Sequence, residues 1–193
     1  MSESEKSDAT PLDPDEATGL IARHVTNRQE LDTVELANTI RGEEWAFSHR
    51  HRDLLNPDFI RTLHRRMFDE TWNWAGQYRS TEKNLGIAPG SIPTAVHQLC
   101  EDTRTQLAHR AHELDEIIAR FSHRLVFIHA FANGNGRHSR LMANLLLVEL
   151  GAPGFSWGSR DLQHPGEVRK RYLEALRRAD AGDFAALLVF VRS

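Results

Sequence analysis

Two strongly apolar segments, separated by a stretch that resists helix, limit this chain more than any other feature. Leu114, Ile117, Ile118, Phe121, Leu125 and Ile128 recur at the three- and four-residue spacing of a buried helical face. Beyond a short break, Leu141, Met142, Leu145, Leu146 and Val148 are apolar on most sides, as in a helix packed all round. Between them lies Asn133-Gly134-Asn135-Gly136, whose residue types favour left-handed and turn conformations. The chain must therefore turn between two buried helices, and the turn opens onto a helix N-terminus.

That geometry has chemical content. The first N–H groups of a helix lack intrahelical partners, and the helix dipole adds to their attraction for an anion. Arg137 and Arg140 are three residues apart, on one face of the first turn, and supply donors suited to phosphate. His129 precedes the turn, and an imidazole titrates near neutrality. A histidine beside a phosphate-shaped hole points to proton transfer coupled to phosphoryl or nucleotidyl chemistry.

The rest of the chain reads as one helical body. Residues 1–16 are rich in Ser, Asp and Glu, with Pro11 and Pro14, and are expected to form a flexible acidic tail. Asn27 can cap a helix with Glu30 three residues on, and Leu36, Ile40, Trp45 and Phe47 supply its apolar positions up to Ser48. Asn56-Pro57-Asp58 starts the next helix, with Phe59, Ile60, Leu63, Met67 and Phe68 as its stripe. Gly86, Pro89, Gly90 and Pro93 break the region before the helix at 94–110, where a short β-hairpin is expected. Two amphipathic helices, near 165–178 and 183–191, complete an all-α domain over residues 17–193, with core helices at about 57–150.

Composition closes several classes. The chain has 193 residues, enough for one full-sized core, and a formal net charge of -3, which gives no global case for nucleic-acid binding. Cys100 is the single cysteine, so no intrachain disulfide forms, and a cytoplasmic setting is expected. Neither a membrane span nor a signal-peptide pattern is present in the sequence. The eleven histidines include the pairs His49/His51 and His109/His112, neither with a carboxylate or cysteine at ligand spacing. Walker, dinucleotide and kinase signatures are missing.

The fixed positions His129, Phe131, Gly134-Asn135-Gly136-Arg137 and Arg140 match the Fic signature, His-x-Phe-x-x-Gly-Asn-Gly-Arg-x-x-Arg, and the chain resembles the Fic (Fic/Doc) family. Leu63-His64-Arg65-Arg66-Met67-Phe68 and Trp74-Ala75-Gly76-Gln77-Tyr78-Arg79 are similar to the family's helix leading into a target-docking flap, here about residues 79–92. Within the family the chain is most similar to the subgroup called mobile mystery protein B. Residues 10–16, 120–125, 133–146 and 155–159 carry that likeness.

The resemblance implies a protein adenylyltransferase, moving AMP from ATP to a hydroxyl side chain of a target protein with Mg²⁺ or Mn²⁺. His129 would be the general base and Phe131 the anchor of the loop. The backbone at Gly134, Asn135 and Gly136 would cradle phosphates, while Arg137 and Arg140 held the outer ones. The family usually has Asp or Glu at the position of Asn133, as a Mg²⁺ ligand. An amide oxygen can still coordinate a hard cation, without the charge, and that makes Asn133 the residue expected on the metal side. The alternatives are a phosphotransferase or other nucleotide transferase on the same scaffold, or a nucleotide-binding regulatory module with little turnover. Against the Doc-like kinase stands Gly136, where that variant has Lys. Thr39 and Glu43 match part of the family's inhibitory motif, so Glu43 is a candidate to obstruct Arg140. The subgroup resemblance also implies a toxin–antitoxin-like setting with a small DNA-binding partner protein.

Overall fold

The computed structural model describes residues 19–21, 25, 27–159 and 165–193. The expected acidic tail at 1–16 and part of the turn after residue 159 lie outside these. Among the described residues seven α-helices follow in order: α1 Arg28–Ser48, α2 Pro57–Phe68, α3 Ile92–His109, α4 Leu114–Ile128, α5 Asn135–Glu149, α6 Pro165–Asp180 and α7 Ala185–Val191. A 3₁₀ turn, Pro89–Ser91, leads into α3.

The helix starts follow from local chemistry. Asn27 Oδ1 accepts the Glu30 N–H at 3.0 Å, and Asn56 Oδ1 accepts the Asp58 N–H at 2.8 Å with Pro57 in the first helical position. α4 and α5 lie against one another, with Ser122 Oγ donating to the Ser139 carbonyl at 3.3 Å. The buried residues of α4 and α5 join Ile60, Leu63, Met67 and Phe68 of α2 in one core. Cys100 is fully buried there, and burial pushes its thiol up to about 12, so it is an inert core residue. The C-terminus is tied back by Arg192, which pairs with Asp115 and donates to the Pro153 and Gly154 carbonyls.

Two expectations need correction. Leu36, Ile40 and Phe47 are 59%, 46% and 43% exposed, so they form the outer face of α1. The buried face carries Leu31, Glu35, Asn38 and Ala46 instead. Its polar members are there because α1 covers the polar end of α2. Asn38 Nδ2 donates to the Arg66 carbonyl at 3.3 Å, and its Oδ1 accepts the Glu70 N–H at 2.9 Å, satisfying groups that a helix end leaves open. The second correction concerns the hairpin within the otherwise helical fold. The only β-bridge among the described residues joins Leu20 to Trp72, and the flap carries no strand ladder.

Candidate active site

A pocket of about 1040 Å³ opens where α4 hands over to α5. His129, Asn133, Gly134, Asn135, Gly136, Arg137 and Arg140 all line it, so the motif residues expected to touch substrate or metal meet at one place.

The connecting loop is shaped by two left-handed residues. α4 stops at His129, whose φ is +53°, and Gly134 has φ +77° immediately before α5. A Cβ at Gly134 would also come within 2.4 Å of the Phe68 ring, so glycine is required there twice over. At Gly136 an added Cβ would meet only Arg140 Nη1, at 3.6 Å, which leaves the loop's outer side open to a ligand. Asn135 turns its side chain inward, accepting the Phe131 N–H at 2.9 Å and donating to the Phe131 carbonyl at 2.8 Å. Its backbone N–H and those of Gly136 and Arg137 begin α5, where no intrahelical acceptor exists.

Phe131 is fully buried and stacks on His64 with ring centroids 3.7 Å apart, while His138 meets it edge-on at 5.2 Å. His64 accepts the Gly76 N–H at Nδ1 (3.0 Å), which leaves Nε2–H to donate to the Asn133 carbonyl at 3.0 Å. His138 donates from Nε2 to the Ile60 carbonyl at 2.9 Å. Burial holds both imidazoles neutral, His64 well below its ordinary range and His138 at about 4.

His129 is half-buried beside the flap. Burial lowers its pKa, and the cations Arg79 and Lys83 lower it further, against a smaller opposing effect from a hydrogen bond to the Val126 carbonyl. At neutral pH it therefore offers a free imidazole. The flap is fixed to the same backbone. The Arg79 N–H bonds to the Ala130 carbonyl at 2.9 Å, and Arg79 Nε donates to the His129 carbonyl at 2.7 Å. The Arg79 guanidinium also donates to the carbonyls of Thr81 and Ile87, so one buried side chain replaces the expected hairpin ladder.

Cationic side chains surround the start of α5. Arg140 sits over the Tyr172 ring at 5.4 Å, and Arg169 and Arg177 of α6 line the pocket farther out. Arg137 lies over Phe68 and pairs with Glu35, Nη2 to Oε2 at 2.6 Å. Glu35 is 1% exposed, and its Oε1 accepts from the Trp72 indole at 2.7 Å and from Asn133 Nδ2 at 3.4 Å. It is thus this carboxylate of α1, and not Glu43, that reaches a motif arginine; Glu43 is exposed, farther along the helix. Glu35, His64 and Arg79 are the site residues that the motif did not reveal. The signal for Glu35 was a charged residue one turn from Leu31 and Asn38, legible only once those were known to be buried.

Residues 54–147 match the model of the Fic/DOC family. The chain is 28% identical over 182 residues to the Probable protein adenylyltransferase y4lH of Sinorhizobium fredii, covering 88% of this chain and 86% of that protein. It is 24% identical over 178 residues to Protein adenylyltransferase fic-1 of Caenorhabditis elegans, covering 90% of this chain. There the chain spans 34% of its relative's length. The fold is similar to that of an ADP-bound N-terminal Fic domain from Bartonella quintana, with a TM-score of 0.70 at 15% identity over 97% of this chain and 91% of that one. The matched segment contains the whole loop between α4 and α5 and the helices that hold it, and through it the chain belongs to the Fic/DOC family.

Proposed function

We propose that this chain transfers AMP from ATP to a hydroxyl side chain of a target protein. The observation that carries the reading is the neutral imidazole of His129 at the rim of a pocket floored by a helix N-terminus and two arginines. The target's hydroxyl oxygen attacks the α-phosphorus, the bond to the bridging oxygen breaks, and pyrophosphate leaves. His129 takes the hydroxyl proton as the new phosphorus–oxygen bond forms. Backbone N–H groups at the start of α5 face the charge that develops on the phosphate, and Arg137 and Arg140 suit the outer phosphates. The pocket runs on past Phe127, Leu173 and Leu176, an apolar wall with room for a nucleoside.

The flap suits an extended target segment. Among the described residues, no backbone N–H from Ser80 to Gly86 bonds to another backbone carbonyl, so this stretch has donors for strand addition. Leu85 at its tip is 68% exposed. A cytoplasmic setting and a small antitoxin-like protein partner accord with this reading. Among the described residues no helix is long and apolar enough to cross a membrane.

A divalent cation would arrive with the nucleotide's phosphates and screen their charge. The protein's own donor set does not fit a resident ion. Among the described residues no group of three or more His, Cys, Asp or Glu could hold a metal. Asn133 Oδ1, the one atom that side chain could offer, accepts the Gly134 N–H at 2.6 Å. This favours, as the second reading, a nucleotide-binding module of low turnover.

The deciding experiment supplies ATP labelled at the α- or the γ-phosphate to the protein in a cell lysate. Label passing from the α-position to a protein band, and lost in His129→Ala, is the expected result. Transfer from the γ-position would replace the proposal with a kinase. ATP binding without transfer would favour the binding module.

A further inference from the structure

Asn133 lines the pocket, and its carbonyl, Oδ1 and Nδ2 are all hydrogen-bonded within the protein. Its carbonyl accepts from His64 Nε2 at 3.0 Å, its Oδ1 accepts the Gly134 N–H at 2.6 Å, and its Nδ2 donates to Glu35 Oε1 at 3.4 Å. Glu35 is buried and paired with Arg137, and its Oε1 already accepts from the Trp72 indole at 2.7 Å, so a second neighbour of that oxygen is favourable as a donor and unfavourable as another acceptor. An amide can donate there while still accepting the Gly134 N–H. A carboxylate at position 133 could keep the second bond but not the first, and would place a second negative charge beside the buried Glu35. The negative charge near this part of the loop is therefore carried by Glu35 on α1, where it is balanced by Arg137 at 2.6 Å. The Arg137 side chain is 32% exposed, and its fork has further N–H donors for the pocket.

We infer that Asn133 is a keystone matched to Glu35, not a metal ligand, and that this chain holds nucleotide phosphate without help from a protein-bound divalent cation. The inference rests on the reading of the pocket as a nucleotide site. Holding the Asn133 carbonyl inward turns the Gly134 N–H outward, because the two groups of a trans peptide point in opposite directions. Asn133 Oδ1 then occupies that N–H until a phosphate oxygen replaces it.

Calorimetric titration of ADP, in excess EDTA and in excess Mg²⁺, tests the metal part. For the unaltered protein the two dissociation constants are expected to agree within about threefold. A larger loss of affinity in EDTA overturns the inference. Asn133→Asp is expected to gain a Mg²⁺ dependence of about tenfold, since it returns a carboxylate to the rim. Absence of ADP binding in both buffers would sink the nucleotide reading itself, and the pairing is then decided by thermal melting alone. Asn133→Asp should lower the Tm by roughly 5 °C. Adding Glu35→Gln to it should recover most of that loss, because an amide on α1 can donate to the carboxylate introduced in the loop. Losses that merely add across the two substitutions would overturn the pairing.

Discussion

At the scale of single residues, the site turns on which atoms hold protons. In the proposed reaction His129 must be unprotonated to accept the proton of an attacking hydroxyl, and burial with two nearby cations lowers its pKa from the ordinary 6.5. The rate should therefore rise as pH increases through a midpoint below 6.5 and be flat by neutrality. A pH profile of kcat/KM for the labelled transfer checks this; an acid limb centred above 6.5 would contradict the environment described for His129. The neighbouring imidazoles do different work. His64 and His138 are kept neutral by burial, each with a defined tautomer, and grip Phe131 between them. The motif singled out His129, but nothing in the local sequence gave His64 or His138 its role. Their roles come from depth and from the carbonyl each ring nitrogen meets.

At the scale of elements, the flap shows how one side chain can stand in for secondary structure. Gly86 has φ +95°, and a Cβ there would come within 2.5 Å of His129 Cβ. The flap thus lies directly on His129, the proposed base, pinned by Arg79 through three carbonyls. Replacing Arg79 with Met should release it while leaving the helices intact. Exchange of the two hydrogen-bonded flap amides, at residues 79 and 87, is expected to accelerate at least about tenfold with little change in α2, α4 or α5. Unaltered exchange would mean that the bonds of Arg79 and Ile87 backbone N–H groups to the Ala130 and Ile128 carbonyls suffice on their own. α1 is the other instructive element. Leu36, Ile40 and Phe47 face outward while Glu35 and Asn38 face inward beside Leu31 and Ala46, which periodicity alone does not suggest. Hydropathy reports what a side chain prefers in water, whereas α1 packs against the open polar groups at the end of α2 and at the loop before α5.

At the scale of the whole molecule, the buried histidines couple folding to pH. Above about 6.5 the imidazoles are neutral in folded and unfolded chains alike, so their contribution is complete. As the pH falls below that value, the unfolded chain takes up protons that the folded one refuses. Stability is then lost until folded His138 itself titrates at about 4. For His138 alone the loss approaches on the order of 3 kcal/mol across this window, and His64 adds to it in the same direction. Denaturant unfolding at about pH 7 and near pH 4.5 measures the difference, and His138→Gln should flatten it. An equal acid loss in that variant would assign the effect to His64 or to carboxylates instead.

The helical body, the caps at Asn27 and Asn56, the burial of α4 and α5, and the loop residues that converge on the pocket were all legible in the order of amino acids. These follow from local chemistry: apolar spacing, capping side chains and glycine's access to positive φ act over a few residues and leave a direct trace in the order of amino acids. The tertiary structure alone decided that Glu35 lies against Arg137 and Asn133, that His64 joins Gly76 to the loop, and that Arg79 replaces a hairpin. Each of these joins groups far apart in the chain, with Glu35 and Arg137 separated by 102 positions. Their pairing reflects which buried polar atoms lack a partner once the helices have packed, and no pattern within a single helix carries that information.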